Sequence, residues 1–280
     1  MSVKILIDSA SDIIADEARE MGVELVPIEV RFGEERYSDG VTLLPEQFYD
    51  KLIESSELPK TSQINAFTFG ERFANLTNQG HDVVAIIMSS KLSGTYRNAV
   101  EASKKFDGKV FVVDSLNASI GERLLCRYAL RLAEQGLNAK QIAEKLDEKK
   151  KKVTYLALLD TLHYLRKGGR VSAVTAFAGK LLSIKPVVSV IDGEVKLVGK
   201  AMGSKKGNDL LNGFVEKKNI DFDMPYGAIY SGNDKSRLEK YLRENEKIKN
   251  GKTEIPVYVL SSTVGAHIGP NGIGVAFFEK

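Results

Sequence analysis

Val3-Lys4-Ile5-Leu6-Ile7-Asp8-Ser9-Ala10-Ser11-Asp12 decides the fold class. The first five residues, mostly apolar and partly β-branched, read as a strand, and small polar side chains follow where a helix begins. The pattern recurs down the chain. Residues 83–88, 110–113, 155–159, 226–230, 257–260 and 273–278 are short apolar runs rich in Val and Ile. Between the runs, apolar residues take helical spacing: Phe48/Tyr49/Leu52/Ile53, Phe69/Phe73/Leu76 and Ile120/Leu124/Leu125/Tyr128/Leu132. Strands alternating with helices imply parallel sheet and an α/β fold. Two hairpins interrupt the alternation. Residues 187–191 and 194–198 flank Asp192-Gly193, a pair suited to a type I′ turn, and residues 23–31 with 33–37 suggest a second. The sheets are therefore expected to be mixed.

The chain has 280 residues, which at roughly 150 per domain predicts about two domains. A boundary is placed after the run Glu148-Lys149-Lys150-Lys151-Lys152, giving domains 1–152 and 153–280. That run also suits a solvated helix end, where cations favour the dipole. Hydrophobic residues make up 43% and charged residues 28%, the balance of an ordinary globular protein. No window approaches 18 uninterrupted apolar residues, and the amino terminus lacks a signal-peptide layout, so no membrane span is expected and cytoplasm is the expected compartment. A single cysteine, Cys126, excludes internal disulfides and cysteine-based zinc sites. His81, His163 and His267 show no metal-ligand spacing. Forty basic against 37 acidic residues give +3, too balanced to advertise nucleic-acid binding. No cofactor is expected.

Ligands of α/β sheets gather at the carboxyl ends of strands, and those ends here are rimmed with hydroxyls. Ser89-Ser90-Lys91-Leu92-Ser93-Gly94-Thr95 follows the run 83–88, and Asp114-Ser115-Leu116-Asn117-Ala118-Ser119 follows 110–113. At Ser93-Gly94-Thr95 a helix start could bind an anion through free N–H groups. Plain N-capping by Ser or Thr explains the same residues. Pro59-Lys60-Thr61-Ser62-Gln63 reads as a polar loop, a second hydroxyl source or simply another cap. Lys167-Gly168-Gly169-Arg170 reads as a turn with flanking cations. Gly265-Ala266-His267-Ile268-Gly269-Pro270-Asn271-Gly272 reads as a glycine-rich loop, in which His267 is either a ligand group or a solvated side chain. Walker, dinucleotide and Gly-x-Ser-x-Gly spacings are absent.

These segments occur together with Tyr164-Leu165-Arg166 and Leu182-Ser183-Ile184-Lys185-Pro186, in an order and spacing that closely resemble the DegV family. That family comprises fatty-acid-binding proteins, among them the FakB-type subunits of bacterial fatty acid kinase. The resemblance spans essentially the whole chain. It implies two α/β domains with mixed sheets and one long-chain fatty acid at their junction. It further implies that Thr61 and Ser93 bind the carboxylate, with Arg170 and His267 near the head group; Ser62 and the Gly94 and Thr95 amides are expected to join them as ligand-binding groups. Proteins of this kind are carriers, not enzymes; a separate ATP-dependent kinase makes the acyl phosphate. Three departures from the FakB-type pattern bear on that partnership. Gly199-Lys200-Ala201 is followed by Met202 where an arginine is usual, Ala266 replaces a threonine, and Ile64-Asn65 replaces Pro-Ser.

Burying an acyl chain of about 16 carbons gains on the order of 12 kcal/mol gross, at ~0.8 kcal/mol per CH₂. Only an enclosed apolar tunnel collects this. Phe177, Leu181, Leu182, Ile184 and Ile268 are the candidate lining residues, each equally suited to ordinary core. The competing expectation is an enzyme acting on a small carboxylated or phosphorylated metabolite, with His267 as acid–base group and Arg170 as anion clamp.

Overall fold

The computed structural model describes residues 2–170 and 184–280. In chain order its strands begin with β1 (Ser2–Asp8), β2 (Glu24–Val26), β3 (Glu29–Phe32), β4 (Glu35–Ser38), β5 (Lys60–Ser62), β6 (His81–Ile87) and β7 (Val110–Asp114). They continue with β8 (Val153–Leu158), β9 (Ile184–Ile191), β10 (Glu194–Met202), β11 (Tyr226–Tyr230), β12 (Val257–Val259) and β13 (Ile273–Phe278). β2-β1-β6-β7 form a parallel sheet, β4-β3-β5 a small antiparallel one, and β10-β9-β8-β13-β11-β12 a mixed sheet. The fold is α/β with mixed sheets, as the alternation of runs implied.

The runs are continuously apolar because both faces of each central strand are buried. Ile5 and Ile7 of β1, with Val84 and Ile86 of β6, face a layer between the two large sheets. Leu6, Val83, Ala85 and Ile87 face the other way, onto Phe69 and Phe73 of the helix Ala66–Asn78. In β8 and β13 the alternation repeats. Tyr155, Ala157, Ala276 and Phe278 join the shared layer, whereas Leu156, Leu158, Val275 and Phe277 pack on Leu211 and Val215 of the helix Gly203–Glu216. The helix Ile120–Glu134 fills the shared layer with Ile120, Leu124, Leu125, Tyr128 and Leu132, the face expected from their spacing. Phe48, Tyr49 and Leu52 of Pro45–Glu54 are buried too, but Ile53 is 72% exposed and does not belong to that face.

Asp192 (φ 53°) and Gly193 (φ 83°) make the expected turn, and the hairpin is longer than its apolar pattern suggested. It runs back to Ile184 and on to Met202, with an irregularity between Leu197 and Gly199. Ser89 Oγ donates to the Gly193 carbonyl at 2.7 Å, so the hairpin tip docks on the segment after β6. The expected hairpin of 23–31 and 33–37 is divided. Pro27, which has no N–H, separates β2 in the parallel sheet from β3, and only β3 and β4 pair across Gly33. Two further readings are corrected. Residues 60–62 are strand β5 rather than loop, and Ser262–Ile268 is a helix rather than part of a glycine loop. Among the described residues no helix is long and apolar enough to cross a membrane.

Candidate functional site

The small sheet, the segment after β6 and the helix Ser262–Ile268 meet around a cavity of about 290 Å³. Its walls are mostly apolar: Ile28, Met88, Leu92, Ala157, Leu165, Val188, Val190, Val195, Val264 and Ile268. Six of the seven expected site residues line it: Thr61, Ser62, Ser93, Gly94, Arg170 and His267. Their sequence separations reach 206 residues, and tertiary packing alone unites them.

β5 holds Thr61 opposite Val30 of β3, and the Thr61 hydroxyl lies 3.1 Å from His267 Nε2. Burial, and secondarily the Arg170 charge, push the His267 pKa down to about 4. The ring is therefore neutral at pH 7. Its Nδ1 is buried, has no hydrogen-bond partner among the described residues, and faces Gly168. No carboxylate orients the imidazole, so the Thr61–His267 pair lacks the third group that a hydroxyl nucleophile needs. Arg170 is held by its own neighbourhood, with Nη1 donating to Gly168 O at 2.5 Å and Nε to Leu92 O at 3.4 Å.

Ser93 does both things that the sequence left open. Its Oγ accepts the Thr95 amide at 3.2 Å, a capping contact, while the residue lines the cavity. Thr95 differs from expectation. Its side chain is fully buried, 2.9 Å from Ser93 Oγ and accepting from the Ile64 amide at 3.3 Å. With both its amide and its hydroxyl committed, it stands behind the cavity wall as support for Ser93. Ser62 lines the cavity but donates to Glu29 at 3.4 Å. Gly94 permits a close approach, since a Cβ there would stand 1.9 Å from Gln63 Oε1. Of the expected tunnel residues, Ile268 lines the cavity and Ile184 lies outside its lining. Phe177, Leu181 and Leu182 lie outside the described residues.

Ser119, from the hydroxyl rim expected after 110–113, also lines the cavity, as do Tyr155 and Thr263, which sequence reading did not assign to a site. Ser119 adopts φ 58°, a conformation L-residues rarely take, and is held by its N–H to Ala10 O and its Oγ to Asp12, both at 2.5 Å. The Thr263 hydroxyl is buried beside Asp39. Beneath the cavity lie buried carboxyls. Burial raises Asp8 and Asp12 to about 7, against the pull of N–H donors on Asp8 and of Ser119 and Ser261 on Asp12. Among the described residues no acidic, His or Cys group could hold a metal ion.

An apolar chamber with a rim of hydroxyls, one arginine and a neutral histidine defines a ligand-binding α/β protein suited to an amphipathic anion. The chain belongs to the DegV family: the family model described as "Uncharacterised protein, DegV family" matches residues 2–280. A protein of Thermotoga maritima described as a fatty acid-binding protein is 33% identical over 296 residues, covering 100% of this chain and 99% of its own. The structure of a DegV family protein from Thermus thermophilus, described by its fatty acid binding, superposes with a TM-score of 0.87 at 28% identity, covering 100% of both chains. A stearic acid-binding protein from Eubacterium ventriosum gives 0.86 at 26%, covering 99% of this chain and 98% of that one. These relatives are described as lipid binders rather than enzymes.

Proposed function

We propose that this protein is a carrier of one long-chain fatty acid, with the carboxylate at the Thr61–Ser93 rim and the acyl chain in the apolar chamber. The observation that carries the reading is that Thr61, Ser93, Arg170 and His267 line one mostly apolar cavity, with the Thr61 hydroxyl 3.1 Å from His267. With its proton on Nε2, neutral His267 donates to Thr61 Oγ1, leaving the Thr61 hydroxyl free to donate to a carboxylate oxygen. Ser93 Oγ supplies a second donor, and Arg170 adds positive charge from one side. The expectation of an acid–base role for His267 loses support, because a ring held near 4 is a poor base at neutral pH.

Mass spectrometry of ligand released from the purified protein tests the reading. Recovery of fatty acids is expected, and Thr61→Ala combined with Ser93→Ala should lower fatty acid affinity at least a hundredfold. A polar metabolite in the released fraction, or unchanged affinity in the double variant, would refute the anion site.

The finer reading is that the bound carboxylate is presented to a separate ATP-dependent fatty acid kinase. Its support is the resemblance to FakB-type subunits together with the arginine beside the site. The domain division at 152/153 belongs to the same reading: the parallel sheet draws on strands before it, the six-stranded sheet on strands after it, and the cavity takes residues from both.

A further inference from the structure

We propose that Asp39 is a positioning residue of the carboxylate site, clamping the helix that carries His267 so that the ring meets Thr61. The inference rests on the carrier reading for what the site binds, though not for the clamp itself. Asp39 follows β4 and is completely buried. Its Oδ1 accepts the Ser262 amide at 3.0 Å and the Ser262 hydroxyl at 2.5 Å. Its Oδ2 accepts the Thr263 amide and the Ser261 hydroxyl, each at 3.1 Å. Four donors from three consecutive residues thus converge on one carboxylate. Each oxygen faces a backbone N–H, so an amide at this position would turn its NH₂ toward the Ser262 or the Thr263 amide, whichever way it lay.

The juxtaposition is geometric. Asp39 lies just beyond Ser38, which pairs with Glu29 on one side of β3, while Thr61 pairs with the adjacent Val30 on the other side. Two strand spacings separate β4 from β5, about 9.6 Å. The helix Ser262–Ile268 contacts both β3 and β5, and from Ser262 to His267 it rises about 7.5 Å. It therefore bridges the small sheet, gripped by Asp39 at its start and meeting Thr61 with His267 in its last turn. Asp39 is itself fixed, its amide donating to Ile28 O at 3.0 Å. Gly265 lets the helix sit down between these ends, since a Cβ there would come within 2.6 Å of Phe48. The same small sheet supplies one ligand group directly and aims the other through a buried carboxylate.

The test compares Asp39→Asn, His267→Ala and their combination, with fatty acid affinity and the NMR titration midpoint of His267 as readouts. Asp39→Asn should weaken fatty acid binding at least tenfold. The double variant should bind no more weakly than His267→Ala alone, because both changes remove one interaction. In ligand-free Asp39→Asn protein the His267 midpoint should move up by a unit or more from about 4, as the ring gains water. Should Asp39→Asn fail to fold, Ser262→Ala removes one donor from the clamp and should shift the midpoint in the same direction. Wild-type affinity or an unmoved midpoint in the folded variant overturns the proposal, as do fully additive losses in the double variant. If the wild-type protein binds no fatty acid, the carrier reading fails, while the titration still decides the clamp.

Discussion

At Gly168 a Cβ would stand 2.2 Å from Nδ1 of His267. The backbone there is ordinary helical, φ −76°, so glycine is needed for space and not for conformation. Gly169 is the opposite case: φ is +68° and nothing lies within 4 Å of its missing Cβ. The two neighbours should separate binding from stability. Gly168→Ala is expected to push the imidazole off Thr61 and weaken fatty acid binding about tenfold. Gly169→Ala should cost roughly 1–2 kcal/mol of stability through its left-handed backbone and leave affinity unchanged. Ligand titrations beside denaturant melts on the two variants decide this, and equal affinities would detach His267 from the site. From sequence, Lys167-Gly168-Gly169-Arg170 could be read only as a turn with cations. Which glycine faces a ring 99 positions along the chain is invisible to local chemistry.

Elements were legible where burial makes the pattern and obscure where a tertiary contact makes the element. β11 and β13 run over the same residues as their apolar runs, because both of their faces are buried and nothing polar interrupts them. Ser262–Ile268 escaped notice because Gly265 within it and Gly269 just past its end argue against helix. The helix forms nevertheless, since Asp39 satisfies its first amides and Gly265 is required for packing on Phe48 and Tyr49. The hairpin β9–β10 was recognised from Asp192-Gly193, yet its far end was not: Gly199-Lys200-Ala201 lies within β10, and Met202 closes the strand opposite Ile184, 52% exposed. Where the FakB-type pattern has an arginine, this exposed end of an edge strand carries no charge. Met202→Arg is therefore expected to raise acyl-phosphate formation several-fold when a fatty acid kinase and ATP are added, with fatty acid affinity unaltered. No gain in acyl phosphate would leave position 202 outside any kinase contact.

Across the molecule, the two large sheets share one apolar layer, and acids are sunk at its polar edge. Asp12 reaches Ser261 and Asp39 reaches Ser261–Thr263, tying the amino-terminal loops to the segment that leads into the His267 helix. Asp8 instead accepts the Ala10 and Met88 amides, joining the ends of β1 and β6. Burial raises its folded pKa to about 7 from an ordinary 3.8, so the folded state binds this proton more tightly than the unfolded chain does. The stability that the protonated carboxyl contributes is complete below about pH 4 and is lost as pH rises to about 7, at roughly 1.4 kcal/mol per unit for one group. Asp8→Asn should be the less stable protein at pH 4.5, and the gap should narrow by pH 7.5. His267 works in the opposite direction, its lowered pKa removing stability as pH falls from 6.5 toward 4, but it is common to both proteins and cancels in the difference. Urea melts at the two pH values measure the gap, and a constant gap would mean that Asp8 titrates normally.

Alternating Val- and Ile-rich runs, the Asp-Gly turn and the hydroxyl clusters after three of the strands determined by themselves an α/β protein with a polar rim and few catalytic groups. That information is local: strand periodicity, turn chemistry and capping preferences act over a few residues. The meeting of Thr61 with His267, the retreat of Thr95 behind Ser93 and the grip of Asp39 on a distant helix were decided only by the tertiary structure. They depend on which buried faces pack together, and the free energy of that packing is shared among many apolar side chains along the chain. No single motif records it.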